Sequence, residues 1–282
     1  MPPAIASDDF VTRDGLHLPL RHWDAKNPKA IIVALHGMSD YSNAFSIPAP
    51  MLADHGISVL AYDQRSFGRA PNPGVWPGSH AMRGDLDDFV DIVRAEHPHI
   101  PVIALGESMG GAVVLSALAA SRKPHVDGVI LVAPAVWSRS DMPLLYRAAL
   151  WVAAHVAPSL SVSGKGLKIW PSDNIEMLRA NYRDPLFQKQ TRSDAVWGLV
   201  NLMDEARHAP EQMTTAPPIL LVYGAKDQII PAAATKAVIA ALGARAEVHE
   251  YPNGYHMLLR DLGREVPLKD IVAWVARLEA PK

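Results

Sequence analysis

The chain has 282 residues, no cysteine and a formal net charge of -2 at pH 7. The absence of cysteine excludes disulfides and thiolate metal sites, and the near-neutral charge lacks the basic excess expected of a nucleic-acid binder. Hydrophobic residues make up 49% of the chain, which excludes global disorder and suffices for a large core. We therefore expect a globular protein that binds no nucleic acid.

The predicted elements begin with two segments, 10–12 and 16–23, which alternate apolar and polar residues around Asp14-Gly15. This pattern predicts an antiparallel hairpin at the edge of a sheet. Uninterrupted apolar runs then recur along the chain, and such runs are typical of parallel strands buried on both faces. They predict strands over 30–35, 57–62, 102–105, 128–133, 219–223 and 246–251.

Helical patterns separate these strands. Apolar residues recur at helical spacing over 82–93 and again over 268–278, and 109–120 is small and apolar, as expected of a helix packed tightly on a sheet. The alternation of strands and helices predicts a doubly wound α/β sheet.

The segment between Pro134 and Pro217 breaks this alternation, because it holds helical patterns but no strand pattern. A structureless loop of that length is unusual, so we expect a helical insertion over the carboxyl ends of the strands, where α/β folds place their sites. The predicted division is a core of residues 1–134 and 217–282 that carries a cap or lid of residues 135–216.

The start of the chain and its apolar runs bear on location. Asp8 and Asp9 stand where a secretory signal would be apolar. A membrane span needs roughly 18–20 apolar residues. The nearest approach, 142–157, is interrupted by Arg147 and His155. The sequence predicts a soluble, cytoplasmic protein.

A candidate nucleophile lies between a predicted strand and a predicted helix. Gly106-Glu107-Ser108-Met109-Gly110 matches G-x-S-x-G in the context that a nucleophile elbow requires. The elbow would expose the Ser108 hydroxyl on a strained turn, and the flanking glycines would avoid clashes with the neighbouring strand and helix. A plain glycine-rich strand-to-helix turn is the alternative interpretation.

A serine hydroxyl needs a base, and the base needs an acid that orients it. In folds with this elbow the chain order is serine, acid, histidine. Asp227 and His256 each follow a predicted strand in that order, so we expect the triad Ser108–Asp227–His256. Asp204 is the alternative acid, and His249, inside a predicted strand, is the poorer histidine.

The developing oxyanion needs two backbone N–H donors. One is expected from Met109, which follows the nucleophile, and the other from Met38 in the turn after the strand 30–35. His36 is expected to be structural. The chain has no P-loop, no G-x-G-x-x-G and no H-E-x-x-H motif, and His97 and His99 are expected on the surface, so no cofactor and no metal are expected.

With the triad placed, the chain resembles the monoacylglycerol lipase and bacterial lysophospholipase group of α/β-hydrolases over nearly its whole length. The resemblance rests on LHGM at 35–38, YDQRSFGR at 62–69, GESMGG at 106–111, DPL at 184–186, GAKDQIIP at 224–231 and Tyr255-His256. It implies the α/β-hydrolase fold, with a mostly parallel eight-stranded sheet, helices on both faces and a helical cap. It also implies hydrolysis of monoacylglycerols, lysophospholipids or related small acyl esters through an acyl-enzyme.

Four positions depart from the pattern of that group. Glu107 and Tyr41 stand where histidine is usual, Ser66 where glycine is usual and Ala70 where serine is usual. None of them belongs to the predicted triad, so they bear on the identity of the substrate more than on the reaction.

The segment 143–156 of the predicted cap is apolar almost all round a helix. One interpretation is a helix buried inside the cap. The other is a lid whose inner face lines an acyl pocket and whose outer face meets lipid or a micelle. The candidate pocket residues are Met142, Leu145, Leu150 and Trp151.

The sequence is also compatible with two rival functions. An aminopeptidase of the same fold would need an acidic cluster in the cap, and Glu176, Asp184 and Asp194 are available there but scattered in sequence. A non-catalytic binding protein of this fold would usually have lost a member of the triad, whereas all three candidates are present here.

Overall fold

The structure is a computed structural model that describes residues 1–164, 166 and 168–279. Its strands are β1 Ala4–Ala6, β2 Asp9–Val11, β3 His17–Trp23, β4 Ala30–Leu35, β5 Ile57–Tyr62, β6 Val102–Glu107, β7 Gly128–Val132, β8 Ser161–Val162, β9 Thr191–Arg192, β10 Ile219–Gly224 and β11 Ala246–Tyr251. Its α-helices are α1 Pro48–Ala53, α2 Ser79–Glu96, α3 Met109–Leu118, α4 Leu144–Val156, α5 Ile175–Arg183, α6 Ser193–Gln212, α7 Ala232–Leu242 and α8 Glu265–Glu279.

The main sheet has nine strands in the order β1-β2-β3-β5-β4-β6-β7-β10-β11. The first three strands and the β3–β5 pair are antiparallel, and every later pair is parallel. The predicted α/β-hydrolase architecture is confirmed, and the sheet has one strand more than expected. The extra strand β1 pairs with β2, and its three residues are too short to give a recognisable sequence pattern.

Both faces of the sheet are covered, as the uninterrupted apolar runs predict. Along β4, Ile31 and Val33 belong to one buried cluster, which also holds residues of α2, α3, α6 and α7. Ile32 and Ala34 belong to a second cluster, which holds residues of α1 and α8. Successive side chains of a strand point to opposite faces, so a strand between two helical layers must be apolar at every position.

The segment between β7 and β10 contains α4, α5 and α6 and also two short strands. The expectation of no strand there is wrong, because β8 and β9 pair antiparallel through two residues each. Helix α6 packs on the core through Val200 and Ala206, which lie in the same buried cluster as Val113 of α3. The division of the chain at residues 135 and 216 stays a prediction.

Helix α4 is the most exposed apolar element of this segment. It has no buried residue, and Leu144, Leu145 and Val156 are each 75% exposed. Leu150 is half-buried and packs against the core cluster. The interpretation of a helix buried inside the cap therefore does not match the structure. Among the described residues, none of the helices combines the length and the apolar character that crossing a membrane requires.

Candidate active site

The predicted elbow joins β6 to α3. Ser108 has φ 54° and ψ -114°, a left-handed conformation that costs free energy in a residue with a Cβ. The turn depends on its glycines: a Cβ on Gly106 would lie 2.4 Å from the Gly110 carbonyl oxygen, and a Cβ on Gly110 would lie 2.2 Å from the Leu35 carbonyl oxygen. The sequence therefore forces the serine onto a tight turn at the carboxyl edge of the sheet.

The structure brings the three predicted triad residues together from three separate loops. The His256 Nε2 lies 2.9 Å from the Ser108 Oγ, and the His256 Nδ1 lies 2.8 Å from the Asp227 Oδ2. Asp227 lies in the loop after β10 and His256 in the loop after β11. The acid, histidine and serine thus form one continuous hydrogen-bonded chain.

The Asp227 carboxylate is held on both oxygens. Its Oδ1 accepts hydrogen bonds from the Ile229 and Ile230 backbone N–H groups at 2.7 and 3.0 Å, which leaves Oδ2 for the histidine. The Asp227 and His256 side chains are 8% and 7% exposed. A buried, fully hydrogen-bonded carboxylate suits the task of orienting an imidazole.

The alternative acid and histidine lie elsewhere. Asp204, on α6, accepts a hydrogen bond from the Arg139 backbone N–H at 2.7 Å. His249, on β11, contacts Glu247 and Asp270. The structure places neither residue in hydrogen-bond contact with Ser108 or His256.

The loop that carries Met38 lies against the elbow, since a Cβ on Gly37 would be 3.2 Å from the Ser108 Cβ. In the described part of the chain, neither the Met38 nor the Met109 backbone N–H donates a hydrogen bond. Met109 is also the first residue of α3, whose first amides have no partner within the helix. Both predicted oxyanion donors therefore lie in segments next to Ser108, and their N–H groups have no partner among the described hydrogen bonds.

His36 holds this loop in shape and is buried, as a structural role requires. Its Nδ1 lies 2.8 Å from the Gly37 carbonyl oxygen, and its Nε2 accepts a hydrogen bond from the Gln64 backbone N–H at 2.9 Å. These partners assign the proton to Nδ1. Burial lowers the pKa of His36, so the ring is kept neutral.

The segment after α5 is fastened to the loop beyond Met38. The Tyr41 hydroxyl donates a hydrogen bond to the Asp184 carboxylate at 2.6 Å, and the Gln188 backbone N–H donates to the Ser39 carbonyl oxygen at 2.9 Å. The Gln188 side chain also donates to the Ser66 carbonyl oxygen at 2.6 Å. Burial raises the pKa of Tyr41, which keeps the hydroxyl protonated as a donor. Tyr41, Asp184 and Gln188 thus form a clasp between the two parts of the chain.

One buried ion-pair network beside the site was missed at the sequence level. The Arg260 guanidinium contacts the Asp40 carboxylate at 2.6 Å and the Glu107 carboxylate at 3.2 Å, and all three side chains are at most 5% exposed. Two features of the sequence mark members of the network, an arginine at the end of the apolar run 257–259 and a glutamate next to the candidate nucleophile, but neither indicates which residues pair.

The four predicted pocket residues fall into two groups. Met142 and Leu150 are half-buried and pack against the core cluster. Leu145 and Trp151 are 75% and 52% exposed, and the Trp151 ring stacks on His155 with ring centroids 4.5 Å apart. Their role in acyl binding stays a prediction.

The sheet order, the strained elbow and the serine–histidine–aspartate arrangement define an α/β-hydrolase fold with an enzyme-like site. The match to a family model identifies the family: residues 26–263 match the serine aminopeptidase S33 family, and the chain belongs to it.

Named relatives are similar over most of their length. The chain is 26% identical over 259 residues to a monoacylglycerol lipase of Mycolicibacterium smegmatis, covering 88% of this chain and 89% of that protein. It is 27% identical over 259 residues to the monoglyceride lipase of Homo sapiens, covering 90% and 84%.

A solved structure has the same fold. The chain superposes with a TM-score of 0.83 on a soluble variant of monoglyceride lipase from Saccharomyces cerevisiae in complex with a substrate analogue. The sequence identity is 18%, and the superposition covers 99% of this chain and 97% of that one.

Proposed function

We propose that the protein is a serine hydrolase that cleaves carboxylic esters through an acyl-enzyme, with Ser108 as nucleophile, His256 as base and Asp227 as orienting acid. The observation that carries this proposal is the pair of hydrogen bonds that His256 makes, 2.9 Å to the Ser108 Oγ and 2.8 Å to the Asp227 Oδ2. A nucleophile, its base and an orienting group within hydrogen-bond distance are the geometric requirement for this chemistry.

Acylation begins when the Ser108 Oγ attacks the ester carbonyl carbon and its proton passes to the His256 Nε2. The carbonyl oxygen becomes an oxyanion, which the Met38 and Met109 backbone N–H groups stabilise. Collapse of the tetrahedral intermediate breaks the bond to the alcohol, which leaves with the proton from His256. Each oxyanion donor of this kind contributes about 10²–10³ in rate.

Deacylation repeats these steps with water in place of the serine. His256 takes a proton from the water as it attacks the acyl carbon, and then returns a proton to Ser108 as the carboxylic acid leaves. Asp227 keeps the proton of the free imidazole on Nδ1 throughout, so Nε2 is available as the base. Every step uses side chains and backbone groups of this chain.

We propose acyl esters such as monoacylglycerols and lysophospholipids as the substrate class. Two relatives that match most of this chain are named monoacylglycerol or monoglyceride lipases. The exposed apolar helix α4 supports the same proposal, because a lid of residues 135–216 could line an acyl pocket on one face and contact a lipid aggregate on the other.

An aminopeptidase is the second candidate, because the family is described by that activity. Such an enzyme needs a free carboxylate to bind the substrate ammonium group. Of the three cap carboxylates considered, Asp184 accepts a hydrogen bond from Tyr41, and Asp194 is ion-paired with Arg192 at 2.6 Å. Glu176 is exposed on α5 and has no partner among the described contacts. Two of the three carboxylates are therefore already engaged, which favours the ester hydrolase.

The test compares hydrolysis of mono-oleoylglycerol, a lysophosphatidylcholine and p-nitrophenyl esters with hydrolysis of aminoacyl anilides. We expect turnover of the esters and negligible turnover of the anilides, and Ser108→Ala should lower ester turnover at least 10³-fold with the fold intact. Anilide turnover that exceeds ester turnover would favour the aminopeptidase. A Ser108→Ala variant that keeps more than about a tenth of the activity would contradict the nucleophile assignment.

A further inference from the structure

Arg260 joins three of the segments that carry proposed catalytic groups: the histidine loop around His256, the oxyanion loop around Met38 and the nucleophile elbow around Ser108. It lies just after His256, in the short 3-10 helix Leu258–Arg260. Its Nη1 contacts the Asp40 Oδ2 at 2.6 Å, and Asp40 lies in the loop that carries Met38. Its Nη2 contacts the Glu107 Oε1 at 3.2 Å, and Glu107 directly precedes Ser108. One guanidinium therefore connects the base, oxyanion and nucleophile segments.

The network is buried, so its members depend on one another. The side chains of Arg260 and Asp40 are each 5% exposed, and that of Glu107 is 3% exposed. The second oxygen of Asp40 accepts the Tyr41 backbone N–H at 3.0 Å, which ties the carboxylate to its own loop. Buried charges require partners with good geometry, so loss of the guanidinium would leave two carboxylates without a counter-charge.

We propose that Arg260 is a positioning residue of the active site, which holds the nucleophile elbow, the oxyanion loop and the histidine loop in a fixed relative position. This inference rests on the proposed function, because it concerns the same site. Arg260 acts through the loops and has no contact with Ser108 or His256 in the described hydrogen bonds.

The shape of the guanidinium explains why an arginine occupies this place. Its two terminal nitrogens reach two carboxylates on different loops at once, whereas a lysine ammonium is a single compact charge on a flexible chain. Glu107 stands where the resembled group commonly has histidine, and in this chain the carboxylate is the partner of Nη2. Glu107 and Arg260 therefore form one unit.

The effect on catalysis should fall on kcat rather than on KM. Displacement of a reacting group by about 1 Å can cost about 100-fold in rate, while a short ester substrate gains little binding from these buried residues. For Arg260→Met we expect kcat for p-nitrophenyl acetate to fall about 10- to 100-fold, with KM changed less than about threefold. The rate of labelling by a fluorophosphonate should fall in parallel.

Two further variants distinguish loss of the positioning contacts from loss of a positive charge alone. Arg260→Lys keeps the charge but cannot hold both carboxylates equally, so its loss of kcat should be smaller than that of Arg260→Met. Arg264→Met is the matched control, because Arg264 lies in the same loop and donates to the Asp261 carbonyl oxygen rather than to either carboxylate. Its kcat and labelling rate should equal those of the wild type.

The effect on folding stability needs a separate variant, because Arg260→Met leaves two buried carboxylates without a counter-charge. The triple variant Asp40→Asn, Glu107→Gln, Arg260→Met removes all three charges with little change in shape, and its melting temperature should exceed that of Arg260→Met. We expect its kcat to stay at least about tenfold below the wild-type value, since the guanidinium that fixes the loops is absent. This result in a folded variant supports positioning over a purely structural role.

Wild-type kcat and labelling rate in folded Arg260→Met, or in the triple variant, would overturn the inference. A loss of the same size in Arg264→Met would also overturn it, because the effect would not be specific to the network. Ser108→Ala, measured in parallel, keeps the two proposals apart. If Ser108→Ala is inactive while the Arg260 variants keep full activity, the inference fails and the proposed function stands; if Ser108→Ala is active, the proposed function fails.

Discussion

The residues around Ser108 and the helix α4 are held in different ways. Asp227 and His256 are almost fully buried, and every described polar contact of the two side chains lies within the site. Helix α4 has no buried residue, and large apolar side chains such as Leu145 and Trp151 face outward. One region fixes polar groups in one geometry, and the other presents exposed apolar surface.

The difference separates two tasks that one site must perform. Proton transfer and oxyanion stabilisation need groups fixed to within a fraction of an ångström, which buried hydrogen bonds provide. Acyl chains are bound by burial of apolar surface, which requires area and little directionality. We therefore expect changes in the core to reduce the reaction for every ester, and changes in the cap to alter preference among esters.

The largest expected effect comes from Asp227→Asn. Because the Asp227 Oδ1 accepts two backbone N–H groups, the amide oxygen of asparagine would keep that place and its NH₂ would face the His256 Nδ1. The imidazole would then carry its proton on Nε2 and could not accept the proton of Ser108. We expect kcat/KM to fall about 10³–10⁴-fold for acetate and decanoate esters alike.

Asp204→Asn is the matched control for that substitution. Asp204 belongs to the contact with Arg139 and lies outside the hydrogen-bonded chain of the site. Its kcat/KM for p-nitrophenyl acetate should stay within about threefold of the wild type. A large loss in Asp204→Asn together with a small loss in Asp227→Asn would contradict the assignment of the acid.

The next effect concerns the predicted cap and should depend on the length of the acyl chain of the substrate. Leu150→Ala with Trp151→Ala should remove contact with two or three methylenes of a long acyl chain, at about 0.8 kcal/mol each. We expect the ratio of kcat/KM for p-nitrophenyl decanoate to that for p-nitrophenyl acetate to fall roughly 30-fold. Both esters are measured below the concentrations at which they form micelles.

The matched control is Leu262→Ala with Val266→Ala. These two apolar residues lie outside the segment 135–216 and are 64% and 59% exposed. The ratio of the two esters should not change in this variant. If Leu150→Ala with Trp151→Ala also leaves the ratio unchanged, the acyl-pocket assignment is wrong, while the hydrolase assignment is unaffected.

The clasp between the two regions gives a smaller effect. Tyr41→Phe removes the hydrogen bond to the Asp184 carboxylate, and a hydrogen bond to a charged group is worth about 1.5–3 kcal/mol. We expect a lower melting temperature and about a threefold to tenfold higher KM for the decanoate ester, with kcat for the acetate ester nearly unchanged.

Tyr182→Phe is the control for the clasp, because Tyr182 lies on α5 and is 71% exposed. It should leave both the melting temperature and KM unchanged. Equal effects of the two substitutions would mean that the hydrogen bond of the clasp has no specific effect on the melting temperature or on KM.

The smallest expected effect concerns Asp87, a buried carboxylate with fewer hydrogen-bond partners than Asp227. Asp87, on α2, is 5% exposed and its Oδ1 has no partner among the described residues. Burial raises the pKa of Asp87 to about 7. The folded state thus prefers neutral Asp87, and this contribution to stability is present below about pH 4 and is lost as the pH rises through 7.

Asp87→Asn cannot ionise, so it should raise the melting temperature at pH 8 by about 2–4 °C and change it little at pH 4.5. The measurement is thermal unfolding at both pH values. Asp24→Asn, an exposed position, should show no such difference between the two pH values. A gain in Asp87→Asn that is equal at both pH values would contradict the role of ionisation.

Much of the core could be predicted because its signals are local. Three predicted strands, 30–35, 57–62 and 246–251, match the observed bounds, since each is a short run between turn residues. Strand β6 extends to Glu107 because that residue pairs with Val132 of β7, which an apolar run alone could not indicate. The strands β1, β8 and β9 are too short for any periodic pattern.

The rest depends on contacts between distant parts of the chain. Arg260 contacts Asp40 and Glu107, which are separated from it by 220 and 153 positions in the sequence, so no local pattern indicates the pairing. The environment of α4 could not be predicted either, because a helix that is apolar all round is equally consistent with burial and with an exposed lipid-facing lid. The surroundings of a helix decide between those two environments.

Fluorophosphonate labelling, followed by peptide mapping by mass spectrometry, tests the assignment of Ser108 as the nucleophile most directly. We expect one adduct on the Ser108 hydroxyl, no labelling of Ser108→Ala, and slow labelling of Asp227→Asn. A short-chain probe should label the wild type and the Leu150→Ala, Trp151→Ala variant equally. An adduct at another residue, or full labelling of Ser108→Ala, would contradict the assignment of Ser108.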